Sequence, residues 1–121
     1  MARRDITGAV DFDYLSTFTA GDQEIVAEVL DLFDEQAALW MRLLDPTGDP
    51  GAWRDGAHTL KGSALGIGAR GVAEVCSEAE TGWEEPPAVK VALKARLDHA
   101  LDLALADIAA WRHERLLQGL K

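Results

Sequence analysis

A chain of 121 residues is long enough for one domain that buries roughly two thirds of the surface its unfolded form exposes, and too short for two. Hydrophobic residues make up 48% and charged residues 27% of the sequence, which excludes an intrinsically disordered chain. The net charge of −9, without a stripe of basic residues, argues against a nucleic-acid-binding protein.

The N-terminal sequence does not resemble a targeting signal. An apolar run does not follow Arg3 and Arg4, and no segment of the sequence reaches the 18 or so apolar residues of a membrane span. We therefore expect a cytoplasmic protein without membrane contact. Residues 1–10 lack apolar periodicity, so we expect them to form a flexible lead-in to a single domain at residues 11–121.

Two amphipathic helices are predicted in the first part of this domain. Asp11 can cap a short helix that runs to about Thr19. Asp22 can cap a second helix. This helix stops at residues 45–51, which form a loop rich in proline, glycine and aspartate. One stripe of the second helix is expected to face inward, and it comprises Ile25, Val29, Leu32, Phe33, Gln36, Trp40 and Leu43.

Three more helices are predicted to follow. The third ends near Gly68, the fourth spans about Arg70 to Thr81, and the fifth spans about Ala88 to Leu117, a length of about 45 Å. The inward stripe of the third helix is Trp53, Ala57, Leu60, Ala64 and Ile67. That of the fifth is Val89, Leu93, Leu97, Leu101, Ala104, Ile108 and Trp111.

This pattern predicts an all-α protein. Period-2 alternation is absent, so no strands are expected. Four amphipathic helices can share one core as an antiparallel up-down four-helix bundle, with the short additional N-terminal helix packed across one end. The single cysteine, Cys76, excludes an internal disulfide and a cysteine-based zinc site, and its helical spacing from Val72, Val75 and Ala79 indicates a core residue.

His58 has the most informative surroundings in the chain. It lies beside the inward stripe of the third helix, and Lys61 and Gly62 follow three and four residues later on the same face. Helical side chains lean toward the N-terminus, so a side chain at position 62 would cover the imidazole, whereas glycine leaves it accessible. The same lean brings the Lys61 ammonium toward a group held by His58, and a flexible point charge suits a phosphoryl group.

Glycine at positions 62 and 66 would destabilise a helix by about 0.8 to 1 kcal/mol each relative to alanine, which favours an access requirement over a purely structural helix. The segment His-x-x-Lys-Gly-Ser-Ala from His58, followed by Gly66 and Gly68, resembles the signature of the histidine-containing phosphotransfer (HPt) domains of two-component phosphorelays. The resemblance continues through Cys76 and Glu80 and implies the same helical-bundle fold.

The resemblance implies that His58 accepts a phosphoryl group from a receiver-domain aspartate and passes it to another receiver-domain aspartate. Glu80 could then orient the imidazole by accepting a hydrogen bond from the unreactive ring nitrogen, or it could be a solvated carboxylate at a helix end. Ser63 could contact the phosphoryl group or a partner, or serve only as a small packing residue. The protein would be a phosphoryl carrier, because the sequence contains neither a P-loop nor the acidic triad of a receiver's magnesium site.

The expected partners are response-regulator receiver domains, including those of hybrid histidine kinases, and they would supply the Mg²⁺. We expect no cofactor and no metal on this chain, because only Asp55 among the helical neighbours of His58 could serve as a ligand. Docking needs an apolar patch near His58. Its candidate residues are Leu15, Phe18, Ile25 and Leu65.

Two other interpretations remain open at this level. The chain could be a phosphoacceptor and dimerisation fragment of a histidine kinase, which would pair two chains to form its bundle. It could instead be an acidic helical adaptor in which His58 is never phosphorylated. The phosphoryl-carrier interpretation predicts a monomer, since the chain has enough helices to close one bundle alone.

Overall fold

The computed structural model describes residues 6–120. These residues contain five helices and no strand, which confirms the predicted all-α fold. The helices are α1 (Phe12–Phe18), α2 (Gln23–Leu43), α3 (Pro50–Gly66), α4 (Arg70–Thr81) and α5 (Pro87–Gly119). Among the described residues, no helix combines the length and the apolar character needed to cross a membrane.

Aspartate side chains cap the first three helices. Asp11 and Asp22 accept hydrogen bonds from backbone N–H groups in the first turns of α1 and α2, as the sequence predicts. Asp49 does the same for α3, and Pro50 occupies the first helical position, where a missing N–H has no consequence. These starts are set locally, because each cap satisfies donors within its own first turn.

The helices close a bundle around one apolar core. α3 packs against both α2 and α4, and α5 completes the bundle against α4 and α2. The predicted inward stripe of α3 is buried along its whole length, with every residue from Trp53 to Ile67 on that stripe at most 1% exposed. This burial fixes the rotation of α3 and leaves His58 on its flank.

The inward stripe predicted for α2 is wrong at three of its seven positions. The buried residues are Val26, Leu30, Phe33 and Ala37, whereas Ile25, Leu32 and Leu43 are exposed. Both sets have helical spacing, because apolar residues cover more than one side of α2. A similar correction applies to α5, where Val89 is exposed and the neighbouring Lys90 is buried in its place.

The segment before α1 is held against α5. The carboxylate of Asp107, fully buried on α5, accepts hydrogen bonds from the backbone N–H groups of Thr7, Gly8 and Val10 at 2.8 to 3.1 Å. The Thr7 hydroxyl donates a fourth bond at 3.0 Å. Thr7, Gly8 and Val10 are therefore bonded to the bundle, contrary to the expected flexible lead-in, while residues 1–5 of that lead-in lie outside the described residues.

The Asp107→Asn substitution is expected to destabilise the protein by about 3 kcal/mol, because an amide group opposes N–H donors with its own N–H and leaves at least one of them unpaired in the interior. The matching loss in melting temperature is on the order of 10 °C for a domain of this size. Thermal unfolding followed by circular dichroism measures it. Asp102→Asn, at an exposed position of the same helix, is the control and should melt as wild type; equal melting of the two variants would contradict the anchoring role.

Gly68 lies in the turn between α3 and α4 and contacts the start of α1. Its φ of +70° is accessible to glycine at little cost, and a Cβ atom there would lie 2.7 Å from the Cβ of Asp11. The Gly68 carbonyl accepts the Asp11 backbone N–H, and Arg70 pairs with the Asp11 carboxylate at 2.9 Å. α3 itself ends at Gly66, two residues before the predicted stop.

Candidate functional site

His58 projects from the flank of α3 into solvent. Its side chain is 71% exposed, although its neighbours in sequence, Ala57 and Leu60, are completely buried. The imidazole is therefore supported by a rigid helix while remaining open to a visiting molecule. An imidazole enclosed in the core could not meet a protein-bound phosphoryl group.

The last turn of α4 brings a carboxylate to this imidazole. Glu80 Oε2 lies 2.8 Å from His58 Nδ1, although the two residues are 22 positions apart in the sequence. A carboxylate can only accept a hydrogen bond, so Nδ1 carries the proton in this geometry. In the neutral ring the lone pair then lies on Nε2, which is the nitrogen available for attack.

Lys61 completes a group of three charged or polar side chains. Its ammonium lies 3.8 Å from Oε1 of Glu80, so the Glu80 carboxylate contacts His58 with one oxygen and Lys61 with the other. The Lys61 side chain is one third exposed. A pair at this distance and exposure is weak, which leaves the ammonium free to move toward an anion on the imidazole.

The glycines of α3 fall into two kinds. A Cβ atom built on Gly62 or Gly66 meets no heavy atom within 4 Å, so neither glycine is required by packing. A Cβ on Gly56 would instead make ordinary contacts of 3.6 Å with the side chains of Leu43, the last residue of α2, and Leu44. Gly56 therefore faces a neighbouring segment, whereas the space above Gly62 is open beside the imidazole.

Ser63 contacts α2. Its hydroxyl donates a hydrogen bond of 2.9 Å to Oε1 of Gln36. This bond ties α3 to α2, as a packing role for Ser63 requires, and a contact of Ser63 with a phosphoryl group or a partner stays a prediction.

Three of the four apolar residues predicted for docking are on the surface. Phe18 is 68%, Leu65 is 50% and Ile25 is 43% exposed. Leu15 is fully buried, so its predicted place in a docking surface is wrong. Leu15 of the seven-residue α1 faces the core, whereas Phe18, the last residue of that helix, faces solvent.

Two further leucines of α2 are exposed. The sequence pattern assigned Leu32 to the core and did not single out Leu39. Leu32 and Leu39 are 52% and 46% exposed, and they lie one turn on either side of Gln36, the residue that contacts Ser63. They therefore share the face of α2 that carries Gln36. Their helical spacing with Gln36 was visible in the sequence, but that spacing alone does not show whether the face is inside or outside.

Cys76 lies beneath the site in the core. Burial, with a smaller effect from the Glu80 carboxylate, raises the pKa of its thiol to about 12 from the ordinary value of 9.0. The thiol is fully buried. The predicted role of Cys76 as a core residue agrees with this environment, and a reactive thiolate does not.

The Cys76 thiol is expected to resist modification in the folded protein at pH 8 and to react at once when urea unfolds the chain. The pKa of the Cys76 thiol is higher in the folded than in the unfolded state. The contribution of the neutral thiol to the free energy of unfolding is therefore fully present below about pH 9 and is lost as the pH rises toward 12. A thiol-reagent assay with and without urea checks the first expectation. The stability of Cys76→Ala should fall less steeply above pH 9, and fast labelling of native wild type at pH 8 would contradict both.

A metal site is not supported by the described residues. Among residues 6–120, no group of three or more histidine, cysteine, aspartate or glutamate side chains is arranged to hold a metal ion. Glu80 is engaged by His58 and Lys61, and Asp55 lies 3.5 Å from the guanidinium of Arg54.

Comparisons with known proteins agree with this geometry. The family model described as Hpt domain matches residues 13–111. Among solved structures, the chain is similar to the crystal structure of the histidine phosphotransferase ShpA from Caulobacter crescentus, with 50% sequence identity and a TM-score of 0.77. This match covers 94% of the present chain and 100% of the other. No curated protein matches the sequence.

Proposed function

This chain belongs to the Hpt domain family, and from that premise we propose that His58 is the residue that carries its phosphoryl group. Proteins of this family are phosphorelay intermediates that work with receiver domains, and they carry phosphoryl groups rather than acting as kinases. The observation that supports His58 most directly is its exposed ring with Nδ1 bonded to Glu80 at 2.8 Å.

The proposed transfer starts from a receiver-domain aspartyl phosphate. The Nε2 lone pair of His58 attacks phosphorus, the P–N bond forms, and the P–O bond to the aspartate breaks, so that the aspartate leaves as a carboxylate. The proton on Nδ1 stays in place, and the ring becomes a phosphorylated imidazolium. Transfer onward reverses these bond changes with a second receiver aspartate, and the ring departs as neutral imidazole.

Glu80 and Lys61 supply the charge balance in this proposal. Glu80 keeps the proton on Nδ1 and offsets the positive charge that develops on the ring during transfer. The Lys61 ammonium, held only loosely by Glu80 at 3.8 Å, turns to the phosphoryl oxygens once they are present. Gly62 leaves the space through which the donor and the acceptor approach.

The receiver domain is proposed to dock on the exposed apolar residues that flank His58. Leu65 lies seven residues beyond His58 on the same face of α3, about 10 Å along the helix. Phe18 and Ile25 from α1 and α2 belong to the same proposed surface, and Leu32 and Leu39 extend it. Specific contacts of this kind position the aspartyl phosphate, and the receiver brings the Mg²⁺.

A cytoplasmic monomer fits the proposed role. One chain closes the core between α2, α3, α4 and α5, so a second chain is not needed to complete it, as it would be for a dimerisation fragment of a histidine kinase. Sedimentation equilibrium should give a mass near 13.1 kDa.

The proposed function is tested with a panel of receiver domains. Each receiver is phosphorylated by a radiolabelled small phosphodonor, separated from the remaining phosphodonor, and then incubated with this protein. We expect label to pass to this protein, to be lost in acid, to persist in base, and to map by mass spectrometry to the peptide that contains His58. An acid-stable label, or label on His99 or His113, would contradict the assignment. Absence of transfer from every receiver of the source organism would favour the inert adaptor.

Leu65→Ser is expected to weaken transfer from a receiver about tenfold through a higher KM, because a half-exposed leucine at the centre of an interface contributes on the order of 1 to 2 kcal/mol. Transfer at saturating receiver should change little. The control is Val91→Ser, a similarly exposed apolar residue on α5, a helix that has no part in the proposed docking surface. Equal effects of both substitutions would show that the receiver does not dock at Leu65.

A further inference from the structure

Trp53 connects three helices beneath the site. It belongs to α3, where it lies five residues before His58, about 7.5 Å along the helix, and its side chain is 1% exposed. The indole Nε1–H donates a hydrogen bond of 2.8 Å to the carbonyl oxygen of Ala79 on α4. The ammonium of Lys90, on α5, lies 5.3 Å from the ring centroid.

The indole bond is made at the end of α4. The last four carbonyl groups of a helix have no N–H partner within it and must be satisfied in another way. The Glu78 carbonyl accepts the backbone N–H of Gly82 at 2.9 Å, and the Ala79 carbonyl accepts the Trp53 indole N–H. The final turn of α4 is thus held in part by a side chain of α3, the helix that carries His58.

Glu80 is the residue immediately after Ala79. Its carboxylate leaves that final turn to reach both His58 and Lys61. A hydrogen bond of 2.8 Å is lost if the turn moves by about 1 Å, since useful donor–acceptor distances end near 3.2 to 3.5 Å. The distance between Glu80 and His58 therefore depends on where the backbone at Ala79 is held.

We propose that Trp53 is a positioning residue of the phosphotransfer site, which places Glu80 against His58 by fixing the Ala79 carbonyl; this inference rests on the proposed function of His58. The Lys90 ammonium, nearly buried against the face of the indole, keeps the ring in the orientation that directs Nε1–H at that carbonyl. Trp53 touches neither the imidazole nor the phosphoryl group and acts only through Glu80.

The test is Trp53→Phe, which keeps an aromatic ring in the core but removes the N–H donor. Nitrogen NMR of the His58 ring reports which nitrogen of the neutral imidazole carries the proton. We expect a dominant Nδ1–H form in wild type, a smaller Nδ1–H fraction in Trp53→Phe, and transfer slowed roughly fivefold, the equivalent of one ordinary hydrogen bond. In a Glu80→Ala background, Trp53→Phe should change neither readout further.

The matched control is Trp111→Phe. Trp111 is a second core tryptophan, stacked on Phe12 about 30 Å further along α5 than Lys90. It should lower the melting temperature without altering the ring nitrogens of His58. Unchanged nitrogen shifts in Trp53→Phe, equal changes in Trp111→Phe, or an undiminished effect in the Glu80→Ala background would each overturn the proposal.

Two further results complete the test. If Trp53→Phe does not fold, Lys90→Met takes its place, and it should lower the Nδ1–H fraction in the same direction; no change would overturn the proposal. The ring nitrogens are read without any receiver, so a protein that accepts no phosphoryl group but responds to Trp53→Phe would refute the proposed function and support the positioning role.

Discussion

His58→Gln is expected to abolish the acid-labile, base-stable label completely while leaving the fold intact. A carboxamide has no nucleophilic nitrogen that can replace Nε2 of the imidazole, so the P–N bond cannot form. Because the His58 side chain is 71% exposed, its replacement removes few packing contacts, and stability should change by no more than about 0.5 kcal/mol. Labelling by a phosphorylated receiver and thermal unfolding, measured on the same preparation, check both expectations.

The other two histidines provide matched controls for this substitution. His99 and His113 are exposed on α5, where neither glycine nor lysine is arranged around them as at His58. His99→Gln and His113→Gln should be labelled as fast as wild type. Label that persists in His58→Gln, or that disappears in either control, would place the phosphoacceptor elsewhere.

Gly62→Gln is expected to slow transfer by about a hundredfold and to stabilise the helix at the same time. Glutamine is favoured over glycine in a helix interior by somewhat less than 1 kcal/mol, and a Cβ at position 62 meets no atom within 4 Å, so the fold should not suffer. The longer side chain leans toward His58 and keeps the aspartyl phosphate from its in-line position, where a misplacement of about 1 Å can reduce the rate about a hundredfold. Rates of single-turnover transfer and melting temperatures measure the two opposite effects.

Two substitutions separate access from helix propensity. Gly62→Ala should raise stability in the same way but leave transfer within about threefold of wild type, because its methyl group does not reach the ring. Gly71→Gln makes the same change at an open glycine of α4 and should leave transfer unchanged. Fast transfer by Gly62→Gln would show that this glycine does not serve access.

Local signals account for the parts of the fold that were predicted well. The aspartate caps of α1 and α2 act on N–H groups within a few residues, and α4 has the predicted bounds. The combination of His58, Lys61 and Gly62 also depends only on helical spacing. Residues three and four apart share a face in any helix, so this part of the candidate site could be read without knowledge of the neighbouring helices.

The two buried ionisable residues of α5 show a signal that was present but not used. Asp107 lies three residues after Ala104 and four before Trp111, and Lys90 lies three before Leu93, so both have the spacing of the inward stripe. A charged residue in such a position is informative because it is rarely buried without a partner. That partner was not predictable, since Asp107 binds backbone groups about 100 residues away.

The sequence by itself determined the number of helices, the starts of α1, α2 and α4, and the grouping of a histidine, a cation and an open glycine on one helical face, because these features depend on interactions between residues at most four apart. Only the tertiary structure decided which apolar face of α2 is buried, that Leu15 belongs to the core, and that Glu80 lies 2.8 Å from His58. Those outcomes follow from how α3 packs against α4 and how α1 packs against the bundle. Packing of that kind depends on shape and volume between distant segments, which periodicity does not encode.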